Sequence, residues 1–230
     1  MDTQKQEQTL VVHPKKALYI FGGAGVILVI LSLIGQYINS PENLQGIHFP
    51  FQVDIISDYT LEFDFAGKPD IVIYYNVLIL NLAAFLLFVI SYFKKMDMDQ
   101  YRFHWRAMAW IVLVLAIDNM AVIHKKINEY FQGEAGMGAW YEYKWVITWI
   151  VVFAILIILF FRFWQHLEST YRILFLAPAV MYFAGAVGKE AAFLIPLDQV
   201  LQYGAATLMI YSALSYLKSH YPIFSVSSQR

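Results

Sequence analysis

The sequence predicts an all-α integral membrane protein, a six-transmembrane-helix bundle with a short extracytoplasmic β-hairpin-like loop. Three observations predict it. Apolar residues make up 60% of the 230 and charged residues 14%, against about 45–50% and about 25% in soluble domains. Six stretches reach the ~20 mostly apolar residues that a membrane helix needs. Lys and Arg favour alternate loops, as cytoplasmic loops do. Mean hydropathy is +0.54. No stretch alternates as the strands of a membrane β-barrel do. The near-neutral charge, −1 overall, gives no footing for nucleic acid. The absence of cysteine excludes disulfides, thiolate metal sites, thiol nucleophiles and dithiol redox chemistry.

Residues 1–16 form a polar N-terminal tail. The first helix, Ala17–Ile38, is too long for a signal-peptide core and lacks a small-residue cleavage site, so it reads as retained. Gly22, Gly23 and Gly25 allow a neighbour to approach closely. The 39–70 segment is long for a connection and is read as an outer cap. Within it Phe49–Ile55 and Thr60–Phe65 alternate apolar with polar around Ser57 and Asp58, the pattern of a short hairpin.

The second helix, Ile71–Phe93, carries Asn76 and Asn81; an amide in lipid is expected to bond a neighbouring helix. The third, Phe103–His124, carries Asp118, Asn119 and His124 toward its outer end. A carboxylate at that depth costs about 2.5–3.5 kcal/mol on insertion scales, so Asp118 is expected to be protonated, paired or facing water. The loop 126–144 is glycine-rich, and Trp140, Tyr141, Tyr143 and Trp145 form an aromatic belt after it. The fourth helix, Trp145–Trp164, is almost wholly apolar and reads as lipid-facing.

In the fifth, Ile173–Leu194, Pro178 frees a backbone carbonyl, and Ala184, Gly185 and Gly188 precede Lys189 and Glu190. The sixth, Val200–Leu217, follows Asp198 and carries Gln202. Residues 218–230 form a polar tail. The single domain therefore spans 17–217. The Lys and Arg bias puts both termini in the cytoplasm of a bacterial inner membrane.

The unusual polar residues Asn76, Asn81, Asp118, Asn119, His124, Lys189, Glu190, Asp198 and Gln202 fall in the middle-to-outer half of the predicted bundle. The inner half shows no comparable set. This predicts a polar pocket that opens outward, because ionisable residues inside a membrane mark candidate sites. Four readings compete. Asp118, His124 and Glu190 are the donor types of a divalent-metal site, but they lack a recognised spacing. The same residues could serve acid–base catalysis on a lipid or an extracytoplasmic substrate. Asp118 could be the protonatable group of a ligand- or ion-binding protein. Or Asp118, Lys189 and Glu190 could tie helices together in a scaffold or accessory subunit. Haem is not expected, since His104, His166 and His220 sit at the inner helix ends while His124 stands apart. The bilayer is the expected partner, with a further membrane protein or a second copy beside it.

The chain resembles a family of uncharacterised bacterial multi-pass membrane proteins with an acid pair followed by Ile-His-Glu. The residues that carry the resemblance are Leu61–Phe88, IDNMAVIHKK at Ile117–Lys126, GAVGKE at Gly185–Glu190 and Leu197–Leu214. Asn119 stands where a second acid is usual and Lys125 where the Glu follows His. Asp198 is the one acid kept at the start of the sixth helix. The resemblance implies the six-helix fold and the site positions, with no reaction attached. The missing carboxylates favour a non-enzymatic binding, transport or accessory role over a membrane-embedded enzyme.

Overall fold

The structure, a computed structural model, describes residues 13–39, 71–121, 140–188 and 195–221. Six helices and no strand occur among the described residues. They are α1 (Pro14–Asn39), α2 (Ile71–Met96), α3 (Arg102–Ala121), α4 (Trp140–His166), α5 (Ser169–Gly188) and α6 (Ile195–His220). The expected number and order of helices hold. The ends shift, most of all in α4, which begins before the predicted Trp145, and in α6, which begins before the predicted Val200. The expected hairpin at 39–70 and the loop at 126–144 lie almost wholly outside the described residues, apart from helical Asn39 and the start of α4.

These helices are apolar on every face. On α2, Ile79, Ala83, Leu87 and Ile90 are buried while Leu78, Phe85 and Tyr92 are exposed. Ile27, Ile117, Ile158 and Ile173 are likewise exposed on α1, α3, α4 and α5. A helix that is hydrophobic all round suits a membrane or the core of a large protein. Among the described residues two helices, over Pro14–Leu31 and Ile73–Met96, are long and apolar enough by composition to cross a membrane, which is weak support for membrane association.

Packing is organised by pairs. α2 and α3 form one antiparallel hairpin and α5 and α6 another. α6 also packs on α1 and α2, so three helices meet it. α1 barely touches α2 directly, and α4 leans lightly on α5. At α1 two of the glycines face a neighbouring helix, at distances that would leave a Cβ in ordinary contact. A Cβ on Gly25 would meet Tyr75 and Tyr203 at 3.8 and 3.9 Å, and one on Gly22 would meet Thr207 at 3.8 Å. Gly23 has open space beside it.

The α2–α3 hairpin turns through Asp97–Tyr101. The Asp99 N–H donates to the Lys94 carbonyl at 3.0 Å and the Met98 N–H to the Lys95 carbonyl at 3.2 Å. Those bonds satisfy carbonyls left over at the end of α2, the Schellman arrangement. Met98 takes the left-handed position there with φ 52°, where glycine is usual. Asp99 then accepts from the Tyr101 N–H at 2.7 Å, which leads the chain into α3.

In α5, Pro178 is fully buried and has no N–H to offer the Leu174 carbonyl one turn back. Ser212 of α6, itself fully buried, supplies the missing donor at 2.7 Å, and its hydroxyl also lies 2.7 Å from the Leu208 carbonyl. The chemistry of one proline thereby pins two helices in register.

Candidate functional site

Polar groups gather at both ends of the bundle, with an apolar cleft between them. At the first end, Asn119 of α3 donates through Nδ2 to the Tyr182 hydroxyl of α5 at 2.7 Å and to its own Leu115 carbonyl at 3.0 Å. Asp118 is half-buried beside it, within electrostatic reach of the Tyr182 hydroxyl. An amide and a phenol thus link α3 to α5, while the expected tie of Asp118 to Lys189 and Glu190 falls partly on residues outside those described. Tyr182 escaped the sequence reading because one tyrosine in a run of aromatic residues carries no signal of its own. Its spacing of three before Gly185 is the nearest thing to one.

Other expected members fall differently. Asn76 is 4% exposed on α2, and its Oδ1 has no hydrogen-bond partner among the described residues. Asn81 corrects the expectation of an interhelical bond. It faces outward and donates to the Val77 carbonyl of its own helix at 2.8 Å. An amide that cannot reach a neighbour satisfies itself one turn back. Gln202 is half-buried on α6. Asp198 lies in the first turn of α6, with its side chain outside the described residues. His124, Lys189 and Glu190 also lie outside them, so the donor set Asp118, His124 and Glu190 is represented by Asp118 alone. Among the described residues no three His, Asp or Glu side chains come together as a metal site would need.

The cleft lies between α3, α4 and α5 and has a volume of about 520 Å³. Ile111 and Leu115 form one wall, Phe153, Leu156 and Ile157 another, and Leu176, Ala179 and Tyr182 the third. Leu80 of α2 and Ala206 and Met209 of α6 form its floor. Phe153 stacks on Phe183 near the Tyr182 end, with centroids 4.3 Å apart. The volume falls in the ~300–1,000 Å³ range of ligand sites. Its walls are hydrocarbon almost throughout. Among the described residues, none of those expected to line a polar pocket lines this cleft, whose polar neighbour is the Tyr182 phenol at one end.

The second end holds a polar network of its own, built mostly from residues in turns and at helix ends. Lys94 of α2 pairs with Asp99 at 3.0 Å, and its ammonium sits 5.6 Å from the centre of the Tyr216 ring of α6. Tyr221 donates to the Asp97 carboxylate at 2.9 Å. His220 stacks on Tyr216 with centroids 4.0 Å apart, and its Nε2 lies 3.7 Å from the Glu168 carboxylate. Tyr171 of α5 hydrogen-bonds Ser219 of α6.

Burial and the adjoining Asp97 carboxylate push the Tyr221 phenol well above its ordinary value, so it stays a donor. Partial burial of Asp99 opposes its charge, but the Tyr101 N–H and Lys94 outweigh it and hold the carboxyl below its usual range. Four helices meet on a buried aromatic knot just inside this network, where Trp105 of α3 touches Phe163 of α4 at 5.1 Å, Phe175 of α5 at 5.2 Å and Tyr216 of α6 at 4.8 Å. The Tyr216–His220 spacing of four was the available signal, since it places both rings on one helix face. The charged residues here read from sequence only as markers of topology.

This second network consists of side chains engaged with one another, and it joins α2, α5 and α6 directly. It closes the bundle. The Asn119 end, by contrast, adjoins open volume, which makes it the better candidate for recognition.

Residues 23–214 match the family described as Domain of unknown function (DUF8692). No curated protein and no solved structure matches the chain.

Proposed function

The chain belongs to this family, DUF8692, and from that premise we propose a non-enzymatic, multi-pass membrane protein. All six helices cross the bilayer in this reading, with both termini in the cytoplasm. The protein binds a ligand between α3 and α5, where Asp118, Asn119 and Tyr182 stand at the end of the cleft. Transport of that ligand, or its presentation to a partner subunit, would use the same site. The apolar residues exposed on α1 to α5 support the membrane reading, because a soluble monomer rarely leaves so much contiguous apolar surface in water.

One observation carries the binding reading. Tyr182, which accepts the Asn119 hydrogen bond and lies within electrostatic reach of Asp118, lines one end of an apolar volume of ligand size. Pockets that bind small molecules combine such a volume with a few convergent polar groups. A reaction finds less support. Among the described residues Asp118 is the one carboxylate at this end, and the match to the family brings no chemistry with it.

Native mass spectrometry of the protein released from nanodiscs tests the proposal. The wild type is expected to retain a bound mass, and Asn119→Leu combined with Tyr182→Phe is expected to lose it while remaining folded. A wild type that flies bare, or a mass indifferent to both substitutions, would overturn the binding site.

A further inference from the structure

We infer that the ligand of this site is a membrane lipid, one of whose hydrocarbon chains lies in the cleft between α3, α4 and α5. The inference rests on the binding reading above and names the class of ligand that it left open.

Three features of the cleft favour a chain over an ion or a water-soluble solute. The first is chemistry. Leu156, Ile157, Leu176 and Ala179 offer no hydrogen bond to a polar solute, which would shed its hydration without replacement at a cost of several kcal/mol. A hydrocarbon chain sheds nothing of the kind and gains dispersion contacts against close walls. The second is size. A volume of about 520 Å³ lies in the range of small-molecule sites and takes at least one long hydrocarbon chain. The cleft also has the shape for it, since its α4 wall runs from Val152 to Trp164, roughly 18 Å at 1.5 Å per residue.

The third is access. The faces flanking the cleft are themselves exposed and apolar, with Trp110 and Val114 on α3 and Ile155 and Ile158 on α4. In a bilayer such a mouth opens sideways onto lipid, so the occupant enters from the membrane. α4, lightly packed on α5, is the wall that can give way to admit it. Tyr182 lines one end of the cleft and is tied to Asn119, so the polar part of the lipid lies at that end, beside the phenol and the amide.

The test uses nanodiscs of phosphatidylethanolamine and phosphatidylglycerol of defined chain length, with the retained mass identified by fragmentation. The expected mass is one of those lipids. Replacing the long chains by short ones is expected to reduce the bound fraction by about tenfold or more, and exchanging the two headgroups is expected to change it less. Ala179→Trp fills the cleft and is expected to abolish retention. Leu176→Trp does the same from the exposed rim, where a larger ring can be accommodated without disturbing the core. A retained mass that is a water-soluble compound, or a lipid unaffected by a tryptophan in a folded variant, would overturn the chain-binding inference and leave the Asn119–Tyr182 site standing. A bare wild type would remove both. If both tryptophan variants misfold, the identity of the wild-type mass and its dependence on chain length decide the matter.

Discussion

Asp99 does two jobs with one carboxylate: it accepts from the Tyr101 N–H at the start of α3 and it pairs with Lys94 at the end of α2. Asparagine can take over the first and not the second. Because the folded-state pKa is held below the unfolded value of ~3.9, the stabilisation is complete above that value and is lost as pH falls through the folded pKa. Asp99→Asn is therefore expected to lower stability by about 1 kcal/mol at neutral pH. The difference from wild type should shrink below about pH 4. Denaturation in detergent followed across pH would show it, and a gap that persists at pH 2 to 3, roughly a unit or more below the ordinary carboxylate value, would mean that the ion pair is not its source. That a short polar loop joins the second and third helices was legible from the break between two apolar runs, while the part Asp99 plays in the turn was not. Nor was the pairing of Asp99 with Lys94, since two lysines compete for the role and both read equally well as inner-side markers.

Between elements, the tie from Ser212 to the Leu174 carbonyl gives a sharper test of how α5 and α6 hold together. Ser212→Ala leaves a buried carbonyl unsatisfied and should cost about 1–3 kcal/mol. In a Pro178→Ala background the backbone N–H gained at that position can serve the carbonyl, so the same serine change should cost about 1 kcal/mol less. Equal costs in the two backgrounds would show that the proline is not the reason for the bond. Half of this was readable in advance. Pro178 announces a vacant acceptor four residues earlier, but nothing in a sequence says which neighbouring helix will provide the donor. The same gap explains Asn81. An amide amid apolar residues signals a need for a partner, while the face it occupies depends on packing, and on a helix apolar all round both faces look alike. Tyr182 was hidden for the converse reason, as its ring suits a lipid-facing helix and its hydroxyl gains meaning only opposite Asn119.

For the molecule as a whole, helix number and order were legible because a long apolar run is a local property that the chain declares by itself. Who packs on whom was not, since no amphipathic stripe distinguishes an inward face. The proposed topology is open to a direct measurement that the composition makes convenient, because the chain has no cysteine to remove. Lys218→Cys should react with an impermeant maleimide only from the cytoplasmic side, and Lys68→Cys only from the other. Labelling of both positions from one side would refute the six-span arrangement.

The central position of α6 bears on how the protein is made. α1 and α2 leave the ribosome early and scarcely touch each other, yet both pack on α6, which is synthesised after them. Until that helix arrives, α1 has no lasting partner and α2 has α3 alone. In the six-span arrangement proposed above, the half-built protein would wait in the membrane, or in the care of the insertion machinery, for this helix. In that arrangement, a nascent chain that stalls before Ile195 would be a target for quality control even after five helices had inserted.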